Sequence, residues 1–135
     1  MLPMPLYWVI DSRERLVTGV AEGGVCREEV DGYLDAIAGS QSGTYRKLFD
    51  GSRGEPLMSA DDIMALAVRM RGMQQFGLTG PLAIVMPRDR YDQFARMLGI
   101  LAVPDRPMEF FSDADAARAW LDEPKIRGWS HEDKR

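Results

Sequence analysis

The stretch from Tyr45 to Pro87 constrains the fold more than any other part of this chain. It reads YRKLFD, then GSRGEPLM, then SADDIMALAVRM, and it ends in GPLAIVMP. This order predicts a strand over 45–50, a loop, a helix that opens at Ser59, and a second strand over 82–86. Apolar residues at helical spacing predict the inward face of that helix: Ile63, Leu66, Ala67, Met70 and Met73. The second strand is an apolar run without alternation, which is typical of a strand that is covered on both faces. The glycines and the proline of GSRGEP predict an irregular loop.

The first forty residues predict a hairpin followed by a helix. Leu6–Ile10 and Leu16–Val20 are apolar, β-branched runs separated by the polar segment DSRER, which favours two antiparallel strands. Apolar residues then recur at helical spacing from Val25, and this pattern predicts a first helix that ends near Gly39.

The last third of the domain predicts a helix, a strand and a helix. An apolar stripe through DRYDQFARMLG predicts a third helix. Residues 106–111 predict a last strand, and Pro107 favours an edge position because proline cannot donate to a ladder. Ser112 and Asp115 predict the cap of a fourth helix. Its expected inward residues are Ala116, Ala119 and Trp120, with Leu121 as a further candidate.

The predicted order of elements is therefore ββαβαβαβα, which belongs to the α/β class. Strands that alternate with helices imply a single mixed, mostly parallel five-stranded sheet with four helices. We expect one domain over residues 1–121, and we expect the polar residues 122–135 to form a loose tail.

Composition narrows the classes of function. The net charge is −4 and the cations are scattered, so we expect no binding to nucleic acid. No apolar run is long enough for a transmembrane segment. The N-terminal residues do not fit a signal peptide, and Cys26 is the single cysteine. We therefore expect a soluble cytoplasmic protein, and the sequence leaves open whether it forms a homodimer.

At several points the sequence resembles the SpoIIAA-like proteins of the STAS superfamily, which include bacterial anti-sigma-factor antagonists and the cytoplasmic domains of sulfate transporters. The resemblance covers Leu6 to Leu121. It depends on the order of elements, on KLFDGS followed by a loop and the helix at Ser59, on GPLAIVMP and on FFSDADAARAWL. It implies a SpoIIAA-like fold and a regulatory role through protein contacts.

In the antagonists, an Asp-Ser-Ser-Gly motif carries a serine that a partner kinase phosphorylates. The matching segment here is Met58-Ser59-Ala60-Asp61, which keeps one serine of that motif. Ser59 is therefore a candidate phospho-switch, and the alternative is a helix cap completed by Asp62. The resemblance places a contact loop around these positions, and its candidate residues are Asp50, Gly51, Ser52, Arg53, Met58, Asp61 and Asp62.

Other residue types do not combine into a catalytic or metal-binding pattern. His131 is the single histidine and has no ligand at suitable spacing, so we expect no metal site, no cofactor and no enzymatic activity. Cys26 near a helix start is either an activated thiol or a small, partly buried residue.

The distribution of methionine suggests a second hypothesis. Seven methionines lie on predicted elements that could meet in one region: Met58, Met64, Met70, Met73, Met86, Met97 and Met108. Methionine fills cores and also lines adaptable apolar clefts. The first hypothesis is therefore a regulatory module that contacts an unknown protein partner. The second is a carrier or sensor of a small apolar ligand or lipid, which the similarity of this fold to lipid-transfer domains also suggests.

Overall fold

A five-stranded mixed sheet forms the centre of the structure. The computed structural model describes residues 5–77, 79–90 and 106–130. The strands β1 (Leu6–Asp11), β2 (Leu16–Val25), β3 (Arg46–Pro56), β4 (Leu82–Val85) and β5 (Met108–Phe111) lie side by side in chain order. β1 is antiparallel to β2, and the other neighbouring pairs are parallel. The predicted α/β class, the hairpin and the edge position of the last strand are confirmed.

Helices cover both faces of this sheet. The structure describes α1 (Arg27–Gly39), α2 (Ala60–Gln75), α3 (Ala114–Leu121) and the short α4 (Pro124–Arg127). A 3₁₀ turn follows β4 at Arg88–Arg90. The predicted third helix lies, from Tyr91 onward, outside the described residues.

The alternation of side chains along β3 assigns each face of the sheet to different helices. Phe49 packs on the side of α1 and α2, in the cluster that contains Tyr33 and Leu66. Leu48 points to the opposite face and packs with Leu121 of α3. β4 is buried on both faces along its whole length, as its unbroken apolar sequence predicts. The domain therefore has two apolar cores, one on each side of a single sheet.

The prediction of a loop at GSRGEP is wrong, because β3 continues as a strand through Pro56. Over this extension β3 pairs with the second half of β2, in which Gly23 adopts a φ of +84°. β3 contains one residue more than β2 between Asp50 and Arg53, which forms a bulge. The pairing of β3 with β4 ends at Asp50, so beyond that point β3 is a local edge, where proline is tolerated.

The predicted cap of the last long helix is shifted by one residue, and its inward face is predicted only in part. The N-cap of α3 is Asp113 rather than Ser112, and its side chain accepts a hydrogen bond from the backbone N–H of Asp115. Trp120 and Leu121 face inward as expected, whereas Ala116 and Ala119 are exposed. Ala114 and Ala117 complete the inward stripe, whose spacing fits one side of a helix that starts at Ala114.

The segment predicted to be a loose tail contains α4, and the structure describes this segment up to Ser130. Ile126 is buried in the same core as Leu121. Arg127 contacts Glu14 at 3.2 Å and Asp122 at 3.2 Å, which connects α4 to the β1–β2 turn. Sequence periodicity missed α4 because a single helical turn is too short to show a repeat. Residues 131–135, including His131, lie outside the described residues.

Candidate functional site

A cavity of about 190 Å³ lies between α1, α2 and the sheet. Its wall is mostly apolar, and α2 contributes Ile63, Leu66, Ala67, Met70 and Met73. The remaining apolar residues of the wall are Val30, Leu34, Ile37, Phe49, Met58, Leu82, Ile84 and Met86. These side chains belong to elements that the sequence predicted, and α2 presents the inward face expected from its apolar spacing.

Four of the seven methionines singled out in the sequence meet at this cavity: Met58, Met70, Met73 and Met86. Met108 packs nearby against Leu82 and Ile84. Met64 lies on the outward side of α2 and is 48% exposed. Met97 lies outside the described residues. Flexible thioether side chains allow such a wall to adjust to an occupant.

The cavity wall includes the aromatic rings of Tyr33 and Phe49, which form a row with Trp8. Tyr33 of α1 makes edge-to-face contacts with Trp8, at 5.6 Å between centroids, and with Phe49, at 5.8 Å. Trp8 and Phe49 flank Gly19 on the neighbouring strands. Because Gly19 has no side chain, the Tyr33 ring can lie directly on the sheet, and a Cβ there would approach Tyr33 Cε1 to 3.3 Å.

Three of the polar side chains at the cavity are Tyr33, Lys47 and Arg106. Lys47 is 4% exposed, and its Nζ donates to the carbonyl oxygens of Gly43 and of Tyr45, the latter at 2.9 Å. Arg106 donates through Nη1 to the carbonyl of Gly80 at 3.1 Å. The buried Tyr33 Oη has no hydrogen-bond partner among the described residues.

The electrostatics of this group follow from burial next to positive charge. Burial lowers the pKa of Lys47 to about 7, and the Arg106 guanidinium adds to that effect. Burial raises the pKa of Tyr33 far above its usual range, although Arg106 acts in the opposite direction. No carboxylate belongs to the described wall of the cavity. Lys47 and Arg106 therefore bring positive charge to a cavity whose described wall is otherwise mostly apolar.

Ion pairs hold the two covering helices together. Arg69 of α2 reaches α1, where its Nη1 donates to Asp31 Oδ1 at 2.9 Å and its Nη2 contacts Asp35. Arg27 of α1 approaches Asp62 at 3.9 Å. Because these pairs are partly exposed, they fix the position of α2 relative to α1 but add little to the free energy of unfolding.

Ser59 caps α2 in a reciprocal arrangement. Its Oγ accepts from the backbone N–H of Asp62 at 3.1 Å, and Asp62 Oδ2 accepts from the backbone N–H of Ser59 at 3.0 Å. This is a capping box with Asp at the third helical position. A phosphate on Ser59 would have the backbone N–H groups of the first turn of α2 as donors, but it would also face the carboxylates of Asp61 and Asp62.

The residues of the predicted contact loop lie in different environments. Asp50, Gly51, Ser52 and Arg53 belong to β3, and Asp50 Oδ1 accepts from the Ser52 backbone N–H at 3.0 Å in the bulge. Met58 lines the cavity, while Asp61 and Asp62 form the first turn of α2. Their role as a contact surface stays a prediction.

Cys26 precedes α1 and is partly buried. Its backbone N–H donates to Glu29 Oε2 at 3.0 Å, and its Sγ donates to Glu29 Oε1 at 3.2 Å. The carboxylates of Glu28 and Glu29 raise the pKa of the thiol. Of the two interpretations of Cys26, the geometry favours the structural one, since a raised pKa disfavours the reactive thiolate.

Residues 5–77, 79–90 and 106–130 contain neither a group of side chains suited to a metal ion nor a membrane-spanning helix. No three Cys, His, Asp or Glu side chains there are grouped so that they could hold a metal ion. No helix in the same part of the chain combines the length and the apolar character needed to cross a bilayer.

Sequence reasoning did not select the polar residues of the cavity. The position of Lys47 on β3 could have indicated its burial, because a strand that is covered on both faces buries each of its side chains. The phenol of Tyr33 gave no comparable signal. Tyr33 falls on the helical stripe of α1 as an ordinary aromatic residue, and its unpartnered hydroxyl emerges only from the packing.

No protein-family model matches the chain, and no curated protein matches it significantly. Among solved structures, the chain is similar to an uncharacterised protein of the DUF3478 family with a SpoIIAA-like fold from Shewanella loihica PV-4. The TM-score is 0.59 at 16% identity, and the match covers 86% of this chain and 93% of that chain. The protein therefore has a SpoIIAA-like fold, as the sequence resemblance predicted.

Proposed function

We propose that this protein is a non-catalytic module that binds a small apolar ligand in the cavity between α1, α2 and the sheet. The observation that carries the proposal is the cavity itself, whose described wall is apolar apart from a few polar side chains that include Tyr33, Lys47 and Arg106. Small-molecule sites in proteins commonly combine these two features. Of the two hypotheses from the sequence, ligand binding has the more specific structural support.

The volume of the cavity limits the size of the ligand. An engineered apolar cavity of about 150 Å³ accommodates benzene, which has six carbon atoms. In proportion, a cavity of about 190 Å³ suits a ligand of roughly eight non-hydrogen atoms. A single ring or a short alkyl chain fits this limit, whereas a complete phospholipid does not.

A non-catalytic role agrees with the side chains at the cavity. The described wall contains no carboxylate, histidine or cysteine that could serve as a general base. Lys47 already donates to two carbonyl oxygens at the start of β3, which suits a positioning group better than a nucleophile.

Nuclear magnetic resonance with toluene as the probe tests the proposal. Toluene is expected to shift the methyl signals of Leu66 and Ile84, both of which line the cavity. The variant Ala67→Phe places a ring into the cavity and is expected to abolish the shifts. The control Val68→Phe alters an adjacent position that is 62% exposed, and it is expected to bind like the wild type. Absence of any shift near saturation in the wild type would contradict the proposal.

A regulatory module that contacts a protein partner is the second candidate function. The outward side of α2 and its end carry apolar residues at the surface: Met64 is 48% exposed, Val68 is 62% exposed and Phe76 is 81% exposed. The same helix covers the cavity on its inward side, so an occupant that shifts α2 would also alter this surface. The single cysteine favours the cytoplasm as the setting.

Capture of partners from the native cell extract tests the second candidate. The double variant Met64→Glu, Val68→Glu is expected to lose a partner that the wild type retains. Val9→Glu is the matched control, because Val9 is 64% exposed on β1, away from α2. If all three proteins capture the same partners, the outward side of α2 is not the contact surface.

A further inference from the structure

The polar side chains Tyr33 and Lys47, which line the cavity, indicate the chemistry of the ligand. We propose that the ligand is a small amphipathic carboxylate whose head group is bound by Tyr33 Oη and Lys47 Nζ and whose apolar part lies among the methionines. This inference rests on the proposed ligand-binding function and specifies the class of ligand.

The Tyr33 hydroxyl is the first observation. It is buried at the cavity and makes no hydrogen bond with any of the described residues. A buried hydroxyl without a partner lowers stability, and such groups in native proteins often have a functional reason. As a phenol that keeps its proton, it is a donor, so it suits an acceptor such as a carboxylate oxygen.

The Lys47 ammonium is the second observation. An ammonium group has three N–H donors, and two of those of Lys47 are directed to the carbonyls of Gly43 and Tyr45. One donor is left for a ligand in the cavity that Lys47 lines. The two carbonyls fix the position of Nζ, so the ligand does not have to order a flexible side chain.

The charge of Lys47 favours an anionic head over a neutral polar head. Lys47 brings an ammonium group to a mostly apolar cavity, and the two groups to which it donates are neutral carbonyl oxygens. A carboxylate would place an opposite charge beside this buried ammonium, which a neutral head would not do. Charge-assisted hydrogen bonds are also stronger in surroundings from which water is excluded.

Hexanoate is the probe that fits both the size and the charge. It has six carbon atoms, one of which belongs to its carboxylate, and with its two oxygens it lies close to the size limit set by the cavity. 1-Hexanol has the same number of carbon atoms with a neutral head, and acetate has the same head almost without a tail. Benzoate provides a second carboxylate with a rigid ring.

Isothermal titration calorimetry at pH 6.5 with these probes tests the inference. Hexanoate is expected to bind about tenfold or more tightly than 1-hexanol, and acetate is expected to show no measurable binding. Equal affinity of hexanoate and 1-hexanol would overturn the carboxylate inference but would leave the proposed function intact. If neither these probes nor toluene bind, the proposed function itself fails.

Variants of the two donors separate recognition from folding. Tyr33→Phe is expected to weaken hexanoate binding about tenfold, to leave 1-hexanol binding unchanged and to leave the melting temperature equal or higher. Lys47→Met is expected to weaken hexanoate binding at least as much. If that variant fails to fold, the hexanoate affinity of Tyr33→Phe alone tests the assignment. Unchanged hexanoate affinity in a folded Tyr33→Phe protein would overturn the assignment.

The pH dependence of binding provides an independent readout. In the described wall, the charged or titratable groups are Lys47 of β3, Tyr33 of α1 and Arg106 before β5, while α2 contributes apolar side chains. As the pH rises above the Lys47 pKa of about 7, hexanoate affinity is expected to fall by up to about tenfold per pH unit. 1-Hexanol affinity is expected to stay constant. A flat profile for hexanoate from pH 6.5 to 9 would contradict binding by the Lys47 ammonium.

Discussion

The ring of Tyr33 lies against Gly19, where a Cβ would stand 3.3 Å from Tyr33 Cε1 and 3.3 Å from Phe49 Cδ2. The space left by Gly19 therefore sets the height of the Tyr33 ring above the sheet. Gly19→Ala is expected to displace one of the two rings and to lower the free energy of unfolding by about 1 kcal/mol. Urea denaturation measures this loss.

Gly32 provides the matched control for this prediction. It lies in the middle of α1, and a Cβ there would meet no other atom within 4 Å. Gly32→Ala is expected to raise the free energy of unfolding by about 0.5 to 1 kcal/mol, because alanine is the better helix former. Equal effects of the two substitutions would show that the contact between Gly19 and Tyr33 does not matter.

Lys47 gives the stability of the protein a distinctive dependence on pH. Its pKa is about 7 in the folded state and has the ordinary value of 10.5 in the unfolded chain. Between these values the unfolded state binds more protons, so the free energy of unfolding rises with pH. The expected rise is roughly 1 kcal/mol per pH unit from pH 7 to 9.

The same measurement on Lys47→Met isolates the effect of that lysine. Subtracting the two curves removes the contributions of other titrating groups, such as Cys26 with its raised pKa. The difference is expected to increase with pH, since only the wild type gains from deprotonation of the buried ammonium. A constant difference across this range would mean that Lys47 titrates normally.

A comparison of Arg46 with Arg127 tests how burial affects the contribution of an arginine side chain to the free energy of unfolding. Both contact Asp122, Arg46 at 3.1 Å and Arg127 at 3.2 Å. Arg46 is 5% exposed and also donates to the carbonyls of Leu121 and Glu14, each at 2.9 Å. Arg46→Met is expected to lower the free energy of unfolding by about 3 kcal/mol, because buried carbonyls lose their donor.

Arg127→Met is expected to cost less than about 1 kcal/mol, since its side chain is 48% exposed and its ion pairs are screened by water. Thermal denaturation of both variants at one pH compares them directly. A larger loss for Arg127→Met than for Arg46→Met would contradict this account of the network.

Ser59 is expected to matter for stability through its cap on α2. Ser59→Ala removes the bond from the Asp62 N–H to Ser59 Oγ and is expected to lower the free energy of unfolding by about 1 kcal/mol. Ser59→Asn, which keeps a capping acceptor, is expected to restore most of that loss. If Ser59→Ala leaves stability unchanged but alters partner capture, a signalling role would explain Ser59 better than a cap.

Much of this fold follows from local sequence patterns. The hairpin, the buried strand at Leu82–Val85 and the inward face of α2 each follow from a local pattern of apolar residues that tertiary contacts did not override. The extension of β3 to Pro56 could not be predicted this way. It depends on pairing with β2, a non-local interaction that outweighs the turn preferences of its glycines.

The site was less accessible to sequence analysis than the fold. The methionine pattern pointed to an apolar region, and four of those residues line the cavity. The polar side chains of the cavity could not be identified without the structure, because Tyr33, Lys47 and Arg106 belong to α1, β3 and the segment before β5. They line one cavity only in the folded domain. No short motif connects them.

A crystal structure of the protein grown with hexanoate is the most direct test of the cavity as a ligand site. We expect the alkyl chain between α2 and the sheet, with a carboxylate oxygen within hydrogen-bonding distance of Tyr33 Oη and of Lys47 Nζ. A cavity closed by its own side chains at saturating hexanoate, or hexanoate bound only elsewhere on the protein, would contradict the account.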